Sequence, residues 1–337
     1  MSDRATVPPD GLTRGEGRLA LVTGATGYVG GLLVPELLAT GWRVRVLARR
    51  PERLRDRPWA GDVDVVAGDA TEPGDLRRAT AGCHVAYYLL HALGSGTRFA
   101  AVDRRTALAF GRAARDAGVA RVVYLGGLHP DGEELSAHLR SRREVGEILL
   151  ASGVPTTVLR AAVVLGSGSA SFEMLRHLTE RLPVMVVPRW LGTRIQPIAI
   201  RDVLRYLVGS AAMPAGVSRG FDVGGPDVLT YADMIRRYAA VAGLPRRLLL
   251  PVPVLTPRLS SHWVGLVTPV PTALAKPLVD SLVHEVVCRE HDIAAHVPDP
   301  PDGLVGFEPA VRLALRRPGD GDVTTGWSSA QRRSRWG

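Results

Sequence analysis

The run Arg18-Leu19-Ala20-Leu21-Val22-Thr23 passes directly into Gly24-Ala25-Thr26-Gly27-Tyr28-Val29-Gly30, and a helix-like stretch from Tyr28 to Thr40 follows without a gap. An apolar strand, a glycine turn and an amphipathic helix in immediate succession leave the chain few folds to adopt. Gly24 permits the turn, Gly27 lets backbone N–H groups come close to an anionic group, and Gly30 allows the helix to pack tightly on the sheet. The N-terminus of that helix adds partial positive charge at the same point. In this context the turn predicts a pyrophosphate cradle, with Thr23, Gly24, Thr26, Gly27, Tyr28, Val29 and Gly30 as cofactor-binding residues.

The alternation continues down the chain. Strands are expected at Arg18 to Thr23, Arg43 to Ala48, Val63 to Ala67, Val85 to Leu90, Arg121 to Leu125 and Thr156 to Leu159. Helices are expected between them at Tyr28 to Thr40, Pro73 to Ala79, Arg98 to Ala117 and Ser136 to Ala151, with Gly41, Gly118 and Gly153 at left-handed helix ends. Short apolar runs alternating with helical ones imply parallel strands joined by crossover helices. The fold class is therefore α/β, a Rossmann-like doubly wound parallel sheet. Beyond Arg160 the pattern loosens. Helices are expected at Ser171 to Arg181, from Asp202, and at Tyr231 to Ala242, with Asp202 and Thr230 as N-caps. Strands are expected near Val184 to Val187, Gln196 to Ile200 and Phe221 to Val223. This half reads as a smaller C-terminal, substrate-facing lobe. Residues 1–17 read as a loose leader, 18–245 as the NAD(P)-binding domain with its lobe, 246–317 as an extension of the lobe, and 318–337 as a disordered tail.

A formal charge of +9 invites a polyanionic partner, but the excess is local. Residues 43–57 hold seven arginines against two acids and residues 312–337 six against two, which accounts for all of it. With no zinc finger, basic reading helix or aromatic-basic stripe, no specific nucleic acid is expected as a partner. The first basic segment has a narrower meaning. A carboxylate about 20 residues beyond the glycine turn usually binds the ribose hydroxyls of NAD. Arg49 and Arg50 stand there instead. Guanidinium holds a 2′-phosphate that a carboxylate would repel, so NADP(H) is the preferred cofactor and NAD(H) the alternative. After the third strand, Asp69 lies beside the adenine or caps a helix. Leu89, Leu90 and His91 end the fourth strand on the nicotinamide side.

Thr23 to Gly30, the Gly68-Asp69 pair, Arg121 to Leu125, Gly153 to Arg160 and Ile198 to Val203 together resemble the short-chain dehydrogenase/reductase superfamily in its extended and atypical branches. Within those, the chain is similar to the NmrA-like and complex I accessory-subunit-like NAD(P)H-binding proteins, over residues 18–245. The resemblance implies substrate binding by the C-terminal half. It also implies a Tyr-x-x-x-Lys pair on the helix after the fifth strand, where the lysine lowers the tyrosine pKa for proton exchange. This chain departs from that pattern. Its single lysine is Lys276, preceded four residues earlier by Thr272. His138 and Arg142 stand at the pair's positions, and Gly126-Gly127 replaces the usual Ser/Thr at the end of the fifth strand. Two readings follow. In one, His138 is the proton donor and Arg142, one turn on, binds the nicotinamide ribose. In the other, Arg142, Arg143, Glu144 and Glu147 form surface charge pairs on a protein that binds cofactor without turnover.

His91, His129, Arg160, Ser167, Ser169, Arg194 and Gln196 are further polar candidates. Leu165 to Ser171 either admits a substrate or forms a flexible loop, and Trp190 and Arg194 either flank a flat or anionic substrate or pack away. No cysteine or histidine spacing suggests a metal site. Cys83 and Cys288 make no disulfide framework, and apolar runs stop short of the roughly 20 residues of a membrane span. A cytoplasmic protein is expected. The apolar, Pro-rich residues 248–286 read either as a packed lid or as a weak peripheral membrane contact. The expected function is oxidation or reduction of a small apolar quinone or carbonyl with NADP(H). A noncatalytic NAD(P)H-binding redox sensor or assembly factor is the alternative, and the oligomeric state is left open.

Overall fold

The structure, a computed structural model, describes residues 15–91, 99–132, 134–252 and 280–316. In chain order the first half runs β1 (Leu19–Thr23), α1 (Tyr28–Ala39), β2 (Arg43–Ala48), β3 (Val63–Ala67), α2 (Pro73–Thr80), β4 (Val85–Tyr88), α3 (Phe99–Asp116), β5 (Arg121–Gly127), α4 (Ala137–Leu150) and β6 (Thr156–Ala161). The second half runs β7 (Val164–Leu165), α5 (Ala170–Arg181), β8 (Val184–Pro188), β9 (Arg194–Ile195), β10 (Ile198–Ala199), α6 (Ile200–Ser210), β11 (Arg219–Val223), β12 (Leu229–Thr230), α7 (Tyr231–Val241), β13 (Leu248–Val252) and α8 (Phe307–Leu315).

The main sheet has the order β3-β2-β1-β4-β5-β6-β11, and every neighbouring pair is parallel. Its central strands are apolar without alternation because both faces are covered: Ala20, Leu21, Val22, Val85, Ala86, Val122 and Val123 are all buried. On one face α1 and α6 contribute Leu33, Val34, Leu37, Val203 and Leu207 to the core. On the other, α2, α3 and α4 contribute Leu76, Ala107, Phe110, Val145 and Leu149. The order reverses between β1 and β4, and open parallel sheets bind ligands beyond the carboxyl ends of their strands at such a point.

The doubly wound sheet is as expected, with local differences. The strand expected at Phe221 to Val223 joins the main sheet beside β6. Helix α1 buries Gly30, Gly31, Leu32, Leu33, Val34 and Leu37, so it is apolar around most of its surface, wedged between the sheet and α6. Of the strand expected from Gln196 to Ile200 only β10 forms: β9 ends at Ile195, Pro197 has no N–H to donate, and Ile200 already opens α6. Helix α6 starts at Ile200, so Asp202 is not its N-cap; its buried carboxylate accepts the Val305 N–H at 2.8 Å. Thr230 does cap α7, in a reciprocal box with Asp233.

A third cluster, including Phe172, Ile195, Tyr238, Phe307 and Val311, is the core of the lobe. Gly15 and Gly17 donate to Thr40 and Gly41 beyond the end of α1. Most of the leader, residues 253–279 of the apolar stretch, and the tail from 317 lie outside the described residues. Among the described residues no helix is long and apolar enough to cross a membrane.

Candidate active site

At the β1–α1 turn, Gly24 has a φ of +76°. A Cβ on Gly24 would lie 2.4 Å from the Leu89 carbonyl oxygen, and one on Gly30 would lie 2.4 Å from the Gly24 oxygen. Both contacts are with backbone, so the turn exists in this shape only without those side chains. Gly27 is the N-cap and makes no side-chain cap bond, and no acid occupies the first turn of α1. The Gly27 N–H closes the turn on the Gly24 carbonyl at 2.9 Å, and with no capping side chain over the helix start, where Thr26 and Gly27 are exposed, its dipole faces an anion site. A dinucleotide pyrophosphate fits this cradle.

The structure divides the expected cofactor residues by role. Thr23 is buried; its hydroxyl donates to the Tyr87 carbonyl at 2.8 Å and accepts the Leu89 N–H at 3.3 Å, fastening β1 to β4 rather than facing a ligand. Tyr28 turns its hydroxyl to the lobe, where a Cβ on Gly166 would meet it at 2.1 Å, and burial raises its pKa. Val29 and Leu90 pack on opposite core clusters. At the second-strand corner, Arg49 is 77% exposed at its side chain, with a guanidinium nitrogen 4.0 Å from Asp69. Arg50 is exposed beside it, and Arg57, which the sequence reading did not single out, donates to the Thr26 carbonyl at 3.5 Å. Asp69 accepts from Thr71 N and Oγ1 at 2.9 and 3.0 Å, closing its own turn, while the N-cap of α2 is Glu72.

The second group lies at the carboxyl ends of β4 and β5. Ser136 caps α4 by accepting the Leu139 N–H. The helix packs close to β5: a Cβ on Gly127 would already stand 3.3 Å from Leu139 and 3.7 Å from Arg142. This approach carries His138 to His91, with Nδ1 of His138 3.0 Å from Nε2 of His91. His91 Nδ1 is in turn 2.9 Å from Asp103 Oδ2, which also accepts from Ser141 Oγ at 3.0 Å. Asp103 is only 4% exposed. Burial pushes His91 below the ordinary histidine pKa, opposed by its hydrogen bond to Asp103. Burial, His91 and the Arg142 charge together take His138 down to about 3.

Arg142 turns inward, donating to the Leu125 carbonyl and lying 5.3 Å over the Tyr124 ring. It is thus not in the surface charge network, although Arg143 and Glu147 do pair at 3.4 Å. The sequence reading missed Asp103 and Ser141. A signal was present for the first: Asp103 is an acid on the buried stripe of α3, with Thr106, Ala107, Phe110 and Ala114.

The other polar candidates are held in structure. Arg194 makes a two-pronged ion pair with Glu285 at 2.8 Å, and Gln196 bridges the Gly225 carbonyl and the Cys288 N–H. Arg160 pairs with buried Asp222 at 2.8 Å, and His129 is buried beside the Pro130 carbonyl. The segment from Leu165 to Ser171 is a hydrogen-bonded turn: Ser169 N and Oγ bond to Gly166 and Val164, and Gly168 N bonds to Glu173. Ser167 lies within it. The side chain of Trp190 lies outside the described residues.

A family profile described as NAD(P)H-binding matches residues 24–180. Ceramide reductase of Caulobacter vibrioides is 32% identical over 238 residues, which cover 69% of this chain and 73% of that one. The chain belongs to the atypical short-chain dehydrogenase/reductases that bind NAD(P)H. Another relative is mouse mitochondrial NADH dehydrogenase (ubiquinone) 1 alpha subcomplex subunit 9, 25% identical over 256 residues, 74% of this chain and 66% of that one. Two solved structures share the fold with a TM-score of 0.67. Citrobacter triphenylmethane reductase complexed with NADP(H) is 20% identical, covering 88% of this chain and 100% of that one. Escherichia coli NADPH-dependent quinone oxidoreductase complexed with NADPH is 19% identical, covering 87% and 98%. Within the short-chain dehydrogenase/reductases, this member carries neither Tyr nor Lys on α4.

Proposed function

We propose that this protein is a cytoplasmic, NADP(H)-dependent reductase of a small apolar carbonyl or quinone that works with His138 in place of a Tyr-Lys pair. The observation that carries this reading is the position of His138. It is held by a hydrogen bond to His91 at the carboxyl end of β4, two residues beyond Leu89, which closes on the cofactor turn. A surface histidine would have no such tether. The arginines at positions 49, 50 and 57 around the Thr26–Asp69 corner support a 2′-phosphate and hence NADP(H), as do the NADP(H) complexes of the two structural neighbours.

When bound, the reduced nicotinamide supplies the hydride. The chain's own residues hold the pyrophosphate at the α1 N-terminus and shelter the reacting end beneath the lobe. His138 supplies a proton to the acceptor oxygen. Arg142, fixed against β5, keeps the pocket electropositive.

Fluorescence titration with NADPH and NADH, followed by a carbonyl and quinone panel, tests this reading. NADPH is expected to bind more tightly, and His138→Ala to keep that affinity while slowing carbonyl turnover by about a hundredfold. Quinones, which can take protons from solvent, should suffer less. A protein that binds neither nucleotide has another function. Tight binding with no turnover of any acceptor selects the noncatalytic sensor or assembly factor, the reading favoured by the missing Tyr and Lys on α4.

A further inference from the structure

We propose that Asp103, His91 and His138 form a proton relay, in which the stored positive charge sits on His91 against Asp103 and His138 passes a proton outward while itself remaining neutral. This rests on the reading of His138 as proton donor and adds where its proton comes from.

With Asp103 ionised, the hydrogen-bond directions are fixed. An ionised carboxylate can only accept, so the 2.9 Å contact makes His91 Nδ1 the donor to Asp103. In neutral His91, Nε2 then carries the lone pair and must accept from His138 Nδ1–H across 3.0 Å. That leaves His138 Nε2 without a proton and without a bond to another described residue. With both rings neutral beside the Asp103 carboxylate, the chain of groups is a base. Adding one proton changes every tautomer in the line: His91 becomes an imidazolium donating to Asp103 on one side and to His138 Nδ1 on the other, and His138 Nε2 now bears the hydrogen. When an acceptor oxygen gains an electron pair, it takes that hydrogen. The N–H pair stays on Nε2, the His91 Nε2 proton crosses to His138 Nδ1, and His91 ends neutral with Asp103 still a carboxylate. Solvent resupplies the single proton lost.

The surroundings favour this distribution of charge. Around the two rings are Asp103 from α3 and Arg142 from α4, with the Phe99 ring edge-on to His91; Ser141 from α4 bonds Asp103, and behind these Tyr88 from β4 and Tyr124 from β5 lie near Asp103 and Arg142. Burial and Arg142 disfavour a cation on either ring, but only His91 has an acid in contact to oppose them. A histidine acid held by a second histidine therefore does not itself have to carry the charge, which rests where Asp103 can offset part of the burial penalty. Asp103 and His91 act here as positioning residues that also define the proton's route.

A purely structural pin between α3 and α4 would give the same distances, so the test must separate the two. In His91→Gln the amide can still donate to Asp103 and accept from His138, but it cannot carry a proton onward. The relay predicts a loss of about a hundredfold in single-turnover carbonyl reduction with unchanged NADPH affinity, about what removing His138 costs. Wild-type rates in His91→Gln alongside lost rates in His138→Ala would overturn the relay and leave the proposed function standing. A second measurement is independent of turnover: titration of ¹⁵N-labelled imidazoles by NMR. His91 is expected to take the first proton while His138 stays neutral, and Asp103→Asn to move the His91 titration to lower pH. First protonation of His138, or no response to Asp103→Asn, overturns the relay. If the imidazoles titrate as expected but no acceptor turns over, the reading of His138 as a catalytic donor fails instead.

Discussion

Among single residues, His138 and His91 make the protein sensitive to acid. Both are held below the histidine pKa of their unfolded states, His138 down to about 3. Between about 6.5 and 3 the unfolded chain thus binds more protons than the folded one, and stability rises with pH across that window. The melting temperature should fall as the pH is lowered from 7 towards 4, and the fall should be smaller in His138→Gln. An equal fall in both proteins would place the acid sensitivity elsewhere. A second prediction concerns Arg49 and Arg50. Replacing both with serine removes charge-assisted contacts to a 2′-phosphate, each worth about 1.5 to 3 kcal/mol, so NADPH affinity should drop by tenfold or more while NADH affinity holds. Parallel losses for both nucleotides would show that the pair does not read the phosphate. At this scale the sequence reveals residues whose role is local. Gly24 could be read because a turn needs its positive φ. Asp103 could not, because its meaning depends on two residues brought from β4 and α4.

The elements were readable where packing is uniform. Strands β1, β4 and β5 are buried almost throughout, so their apolar runs are continuous, and edge strand β3, although half exposed, still starts and ends where expected because its valines pair with β2. Strands β7, β9, β10 and β12 are two residues each, too short for any period to register, and β13 carries Pro251, a residue that argues against a strand in the sequence. The β1–α1 joint is where an element boundary and the site coincide, and Gly30→Ala tests it. The added Cβ would meet the Gly24 oxygen at 2.4 Å and its carbonyl carbon at 2.8 Å, and neither can swing aside as a side chain would. The helix must back away from the turn, at a cost of about 1 to 3 kcal/mol. Thermal melting should show that modest loss, while NADPH titration should show a disproportionate one if, as proposed, the displaced helix start holds the pyrophosphate. Normal cofactor affinity in a destabilised Gly30→Ala would separate the cradle from nucleotide binding.

For the molecule as a whole, residues 280–316 matter more than their weak pattern suggests. Ile293 and Val297 lie in the core cluster with α1 and α6, while Phe307 and Val311 lie in that of the lobe, so one late segment seals both. Its attachment to the main sheet is polar. Fully buried Asp222 on β11 pairs with Arg160 on β6 at 2.8 Å and accepts the Arg289 N–H at 3.0 Å, and the Asp222 N–H donates to Glu290 at 2.6 Å. No sequence period could announce this junction, since each partner lies on a different element. Asp222→Ala leaves Arg160 facing a partly buried site with only the more distant Glu290, 3.7 Å away. Removing one member of a buried pair costs about 3 to 5 kcal/mol, whereas Asp222→Asn, which can still accept from Arg289, should cost less. Urea unfolding followed by both tryptophan fluorescence and circular dichroism checks the consequence. If the late segment seals both cores, Asp222→Ala should shift one shared transition to lower urea; two separated transitions would mean that the sheet and the lobe unfold independently and that the junction only decorates them.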